Sequence, residues 1–188
     1  MATLNVASSL KKSVRPDVYS EIWIAEDNTD VRIFLQRAFR NSEPSPNLVF
    51  FRNGAELVEH FHEHSPLPRL LLLDMEMPVM NGLTALSCIG ADEYSAQTPV
   101  VIFSSLENPE IVRQAYRSGA KLYLKKPARL EGFSDVAELC VHCAEAIRAL
   151  PSGRLPLAAF EAKEVLQLLS RAVPRQGVVG RSRAGNWS

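Results

Sequence analysis

The chain is expected to fold as an α/β protein, a doubly wound five-stranded parallel sheet with helices on both faces. Three observations carry that expectation. Short apolar runs alternate with longer segments whose apolar residues recur at helical spacing, and there are five such pairs in strict succession. None of the runs shows the polar alternation of a half-wet sheet, so they read as strands buried on both faces. Alternating strands and helices of this kind form parallel sheets through right-handed crossovers.

The elements follow in order. EIWIA (21–25) is the first strand, and Val31, Phe34, Leu35, Ala38 and Phe39 place a helix over 29–41. LVFF (48–51) precedes a stripe of Ala55, Leu57, Val58 and Phe61 over 54–64. LLLL (70–73) is followed by Pro78 and Asn81-Gly82, which delay the next helix until 83–90, marked by Leu83, Leu86 and Ile89. PVVIF (99–103) leads to Ile111, Val112, Ala115 and Tyr116 over 108–118. KLYL (121–124) leads to the last helix of the series, 131–149, with Phe133, Val136, Leu139, Cys140, Cys143, Ala144 and Ile147. Trp23 reads as core filling. PSGRLP (151–156) is a punctuated linker, and 157–172 reads as one added helix with Leu157, Phe160, Val165, Leu168 and Leu169 on its apolar face. The expected organisation is an N-terminal extension (1–19), a main domain (20–149) and a C-terminal extension (150–188) ending in a basic, disordered tail.

Composition narrows the function classes. Apolar residues make up 46% and charged residues 22% of the 188, an ordinary globular mix. Net charge is zero, so no overall field recruits nucleic acid or an anionic membrane, although Arg171, Arg175, Arg181 and Arg183 make the tail locally basic. The first twenty or so residues lack a continuous apolar segment behind a basic start, and no window reaches the ~20 apolar residues of a membrane span. Three cysteines do not make a disulfide framework, and the expected location is the cytoplasm.

In an open parallel sheet, ligands gather where the strands end. Glu26 and Asp27 follow the first strand, Asp74 the third, Ser104 and Ser105 the fourth, and Lys126 and Pro127 the fifth. Singly, each has an ordinary explanation: Glu26, Asp27 and Asn28 suit a helix N-terminus, Ser104 a loop, Lys126 a solvated surface. Together they put three acids, a hydroxyl and an ammonium on one rim. Two carboxylates about 5 Å apart repel by roughly 3 kcal/mol at an effective dielectric near 20, so three will raise a pKa or hold a cation. Oxygen ligands suit a hard divalent ion, Mg²⁺ above all, which shares its remaining positions with phosphate oxygens. One aspartate can then attack phosphorus and form an acyl phosphate, while the metal and a lysine neutralise the transferring group.

At this point the residues resemble the receiver domains of two-component response regulators, over about residues 20–148. The motifs are AEDNTDVR, LLLLDMEMPVMNG, PVVIFSS and GAKLYLKKP, in order. The resemblance implies a flavodoxin-like (βα)5 receiver fold in which Asp74 accepts a phosphoryl group from a phosphohistidine on a sensor histidine kinase or a histidine phosphotransfer protein. It implies that Glu26, Asp27, Asp74 and the backbone carbonyl of Glu76 hold Mg²⁺. Ser104 and Lys126 would contact the phosphoryl group, Ser104 and Tyr123 would switch with it, and Pro127 would make a turn where the family often has a cis bond. Glu26 stands where Asp is commoner, and Ser104 where threonine is more frequent. Glu76 and Leu106 are expected to set the lifetime of the phosphorylated state. The stretch past 150 reads as too short for a usual DNA-binding effector domain, so the face of the fourth helix, fifth strand and fifth helix is expected to dock a partner or a second copy.

Rival readings remain beside this one. A phosphohydrolase that forms an aspartyl phosphate needs a second acid two residues past its nucleophile, where Glu76 stands, though usually Asp; it also needs a cap domain that is absent. A nucleic-acid regulator rests only on the arginine tail. No phosphate-binding loop follows the first strand, which disfavours flavin-type cofactor binding. CVHC (140–143) lies within a helix and lacks a second ligand pair for zinc, so its cysteines read as core or half-buried thiols. In HFHEH (60–64) only His60 and His64 share a helix face, and the stretch reads as a surface helix end.

Overall fold

A computed structural model of the protein describes residues 21–63, 66–90, 98–142, 144, 147 and 159–172. The expected N-terminal extension, the linker and the tail beyond Ala172 lie outside the described residues. The elements are β1 (Glu21–Ala25), α1 (Thr29–Arg40), β2 (Asn47–Phe51), α2 (Gly54–Glu63), β3 (Leu70–Leu73), α3 (Gly82–Gly90), β4 (Val100–Ser104), α4 (Pro109–Arg117), β5 (Leu122–Lys125), α5 (Glu131–His142) and α6 (Ala162–Ala172). The sheet is parallel, in the order β2-β1-β3-β4-β5. Among the described residues no helix is long and apolar enough to cross a membrane.

Alternate side chains of each inner strand feed two cores. Ile22, Ile24, Leu70, Leu72, Val101, Phe103, Leu122 and Leu124 pack on the face covered by α1 and α5. Trp23, Ala25, Leu71, Leu73, Val100, Ile102 and Tyr123 pack on the opposite face, against α2, α3 and α4. This explains why the runs carry no polar alternation. Each leucine of β3 is fully buried, which contributes roughly 2 kcal/mol relative to exposure and offsets the cost of delivering a carboxylate at the strand's end. Strand β2 departs from the expectation of burial on both faces. It lies at the sheet edge, and Asn47 is exposed while Leu48, Val49 and Phe50 are only half-buried.

Between β1 and β3 the strand order reverses, since the chain passes from β1 outward to β2 and then returns to the other side. Crevices in doubly wound sheets open at such a point, past the strand carboxyl ends. Asn28, Asn81 and Asn108 supply side-chain oxygens to the first amides of α1, α3 and α4, which leaves Glu26 and Asp27 free of that duty.

The added helix begins at Ala162, later than the expected 157, because the preceding residues are used otherwise. Phe160 forms a parallel bridge with Leu124 on the open edge of β5. Its N–H donates to the Tyr123 carbonyl at 2.9 Å and its carbonyl accepts from the Lys125 N–H at 2.8 Å. A residue whose amide and carbonyl both serve a strand cannot join a helix ladder, so α6 starts after Glu161, whose N–H is capped by Glu164 Oε2. Leu168, placed on the expected apolar face, is 46% exposed, whereas Ala162 and Val165 are buried.

Two glycines make contrasting demands. A Cβ at Gly82 would lie 2.1 Å from the Asp74 carbonyl oxygen, so α3 starts directly against the end of β3. Gly119 has φ +104° with open space around it. Gly82→Ala is expected to lower the free energy of unfolding by roughly 3 kcal/mol through overpacking. Gly119→Ala should cost only about 1 kcal/mol, from backbone strain alone. Urea denaturation of the two variants checks this ordering, and equal losses would contradict it.

Candidate functional site

The end of β3 is pinned before its side chain does anything. The Asp74 N–H donates to the Ala25 carbonyl at 2.9 Å, and the Glu26 N–H to that of Phe51 at 3.0 Å. Asp74 and Glu26 are both buried, at 2% and 0% exposure, while Asp27 is exposed on the same rim. Lys126 reaches them from the end of β5, its Nζ 2.8 Å from Glu26 Oε2 and 2.9 Å from Asp74 Oδ2. The Lys126 N–H donates to the Ser104 carbonyl at 3.0 Å, so β4 sets where the lysine leaves the sheet. The structure thus brings four of the expected residues together: Glu26, Asp27, Asp74 and Lys126.

Ligand oxygens of Glu26, Asp27 and Asp74 all lie within 4.8 Å of one another. Asp74 Oδ1 is buried without a hydrogen-bond partner among the described residues. An all-oxygen set with an unsatisfied buried carboxylate oxygen fits a hard divalent cation.

Ser104, buried at the end of β4, accepts a bond on Oγ from the Leu106 N–H at 3.2 Å. The Tyr123 hydroxyl donates to the Leu106 carbonyl at 2.8 Å, and the ring is fully buried. Leu106 therefore links the two expected switch residues through its main chain, a role its apolar side chain did not signal. Glu76 is exposed at the edge of the site; burial raises the Tyr123 pKa, and the charges on Asp74 and then Glu76 add to the rise. The cis peptide among the described residues is Glu43–Pro44, so Lys126–Pro127 is trans, unlike the cis bond frequent in the family.

Sequence reasoning missed the outer layer of β5. The Tyr116 hydroxyl accepts from the Tyr123 N–H at 3.1 Å, and burial pushes its pKa up to about 12. Lys125 Nζ lies 2.7 Å from Glu107 Oε2. Tyr116 had been counted only in an apolar stripe, and the pairing of Glu107 with Lys125 depends on sheet register. Of the two tempting clusters, Cys140 is buried in the core while Cys143 is outside the described residues. His60 packs against Trp23 with ring centroids 4.6 Å apart, so it is half-buried rather than a surface residue; His64 is outside the described residues.

Burial raises the pKa of Asp74 above the ordinary 3.8, against the pull of Lys126. Burial likewise raises Glu26 above 4.5, opposed by Lys126 and reinforced by the charge on Asp74. Burial alone would lower Lys126, but Glu26 and Asp74 outweigh it and leave its pKa raised, so it stays charged at neutral pH.

The sequence matches the family model of the response regulator receiver domain over residues 22–138. It is 28% identical over 121 residues to the probable methanogenesis regulatory protein FilR2 of Methanothrix harundinacea, covering 62% of this chain and 78% of that protein. The phosphorylated cyanobacterial phytochrome response regulator RcpA superposes with a TM-score of 0.64 at 25% identity, covering 71% of this chain and 99% of that one. The Mn²⁺-bound form of response regulator Rcp1 shares the fold, with a TM-score of 0.62 at 23% identity over 70% of this chain and 99% of that one.

Acids whose pKa values rise on folding favour the fold while protonated, and that contribution is lost as pH rises through the raised values. In metal-free buffer the unfolding free energy is therefore expected to fall as pH climbs from about 4 toward neutrality. Asp74→Asn should flatten this decline and be more stable than the parent at pH 7 by roughly 1 kcal/mol. Urea titrations across pH check both expectations, and a variant less stable than the parent would contradict them.

Proposed function

The chain belongs to the response regulator receiver family, and on that footing we propose that Asp74 is its phosphoacceptor, fed by a phosphohistidine on a sensor histidine kinase or phosphotransfer protein. The observation that carries this reading is Asp74 itself. It is a buried carboxylate at the end of the central strand, with one oxygen on an ammonium and the other without a partner.

An Asp74 Oδ attacks phosphorus, the P–N bond to imidazole breaks, and its electron pair stays on the ring nitrogen, which takes up a proton. The product is an acyl phosphate on Asp74 and a neutral histidine. Glu26, Asp27, Asp74 and the Glu76 carbonyl would hold Mg²⁺, which supplies charge neutralisation to the phosphoryl oxygens. Lys126 already lies against Asp74 and can follow the growing charge. Ser104 Oγ, which accepts from Leu106, can turn its proton toward a phosphoryl oxygen, and Tyr123 senses the change through the Leu106 carbonyl. Hydrolysis reverses the modification: water attacks phosphorus and the P–O bond breaks, returning phosphate and the Asp74 carboxylate. Glu76 and Leu106, which border this route, tune the lifetime.

Signalling would run through the α4, β5 and α5 surface beside the edge that Phe160 occupies, meeting a partner or a second copy in a cytoplasmic setting. The phosphohydrolase reading draws no support from Glu76, which is exposed rather than directed into a closed site. The nucleic-acid reading rests on arginine side chains outside the described residues.

Incubation with Mg²⁺ and acetyl phosphate should give an acid-stable, base-labile phosphoryl group that Asp74→Asn abolishes. Lys126→Ala should lower its yield at least about tenfold, as removal of a charge-stabilising donor does elsewhere. Glu76→Asn should change the dephosphorylation rate more than twofold. Undiminished labelling of Asp74→Asn, or steady turnover of organic phosphates, would contradict the assignment.

A further inference from the structure

We propose that residues 159–172 form an intramolecular clamp on β5 that pre-positions Lys126 and the β4–α4 loop for the phosphoryl group, so that clamp docking and Asp74 phosphorylation strengthen each other. The inference rests on the receiver reading and adds a function for the C-terminal segment.

The clamp is built from three contacts. Phe160 brackets Leu124, donating to the Tyr123 carbonyl and accepting from the Lys125 amide, and closes the outer edge of β5. Ala162 and Val165 of α6 are 4% and 3% exposed, buried in the core that α5 also builds. Lys125 Nζ pairs with Glu107 of the β4–α4 loop, and Glu161 and Glu164 of the clamp add attraction to the same ammonium.

The first and third act on the residue before Lys126, and the second holds α6 against the core. The clamp fixes the Lys125 amide, and the next amide is fixed by the Ser104 carbonyl, so the backbone from which the Lys126 side chain springs is held from both sides. Glu107 is tied to that backbone through Lys125, and one residue earlier Leu106 holds the Ser104 and Tyr123 side chains. Ordering a charged side chain and a loop costs conformational entropy, which a docked clamp removes before the phosphoryl group arrives. By linkage, a ligand that favours the ordered arrangement must in turn favour docking of the clamp. The closed edge also denies β5 to a strand of a second copy.

The test uses the full chain with Mg²⁺ and beryllofluoride, a phosphoryl analogue, read by titration calorimetry and amide hydrogen exchange. Phe160→Pro removes the amide that bonds Tyr123, and Val165→Asp places a charge at the α6 contact. Both should weaken beryllofluoride binding roughly fivefold or more, while Lys163→Ala on the exposed side of α6 leaves it unchanged. In the parent, saturation with beryllofluoride should slow exchange of the Phe160 and Lys125 amides, a reciprocal effect that a merely structural segment would not show. Parent-like binding by both variants, or unchanged exchange at those amides, overturns the clamp and leaves the receiver reading standing. Failure of the parent to bind beryllofluoride overturns the receiver reading and the clamp with it.

Discussion

One ammonium shared by two buried carboxylates organises this molecule. Lys126 stands within 2.9 Å of both Glu26 and Asp74, which have almost no contact with solvent. Removing either acid's counter-charge would leave a buried anion, which proteins tolerate poorly. The arrangement nevertheless falls short of neutrality, because one lysine faces two acids with Asp27 on the same rim. That residual negative charge suits a hard divalent cation, which would in turn make the site attractive to a phosphoryl group.

The fold serves this deficit. Strands β1, β3 and β5 end at one edge, and the amides after them are tied to neighbouring strands, so the charged side chains start from fixed points. Apolar strands surround the polar rim and keep its dielectric low, which strengthens every interaction there and makes a change in charge hard to ignore. The neighbouring loop responds through few connections. Ser104, Leu106 and Tyr123 form a single hydrogen-bonded chain from the rim to the α4 face of β5. The outward edge of the same strand carries Phe160, so the inner and outer sides of β5 are mechanically joined.

Much of this was legible in the sequence. The uninterrupted leucines of β3 ending on Asp74 marked the central strand and the acidic rim at its end, because a run buried on both faces has little reason to finish on a carboxylate. Glu26, Asp27 and Lys126 followed from the same rule about strand ends. The sequence was less informative where pairing is non-local. The half-exposed β2 has an apolar run like the others, and only its edge position sets it apart. The segment before α6 has helix-forming composition, yet Phe160 pairs with a strand because β5 has an open edge to satisfy. Leu106 acts through its main chain, which no side-chain pattern reveals.

The central claim is that the acyl phosphate forms at the end of β3 and nowhere else on the acidic rim. Reduction of the phosphorylated chain with labelled borohydride, followed by peptide mapping, locates an acyl phosphate by the alcohol it leaves behind. The account predicts label at Asp74 alone. Label at Asp27, Glu26 or Glu76, or phosphate recovered on a histidine, would contradict it.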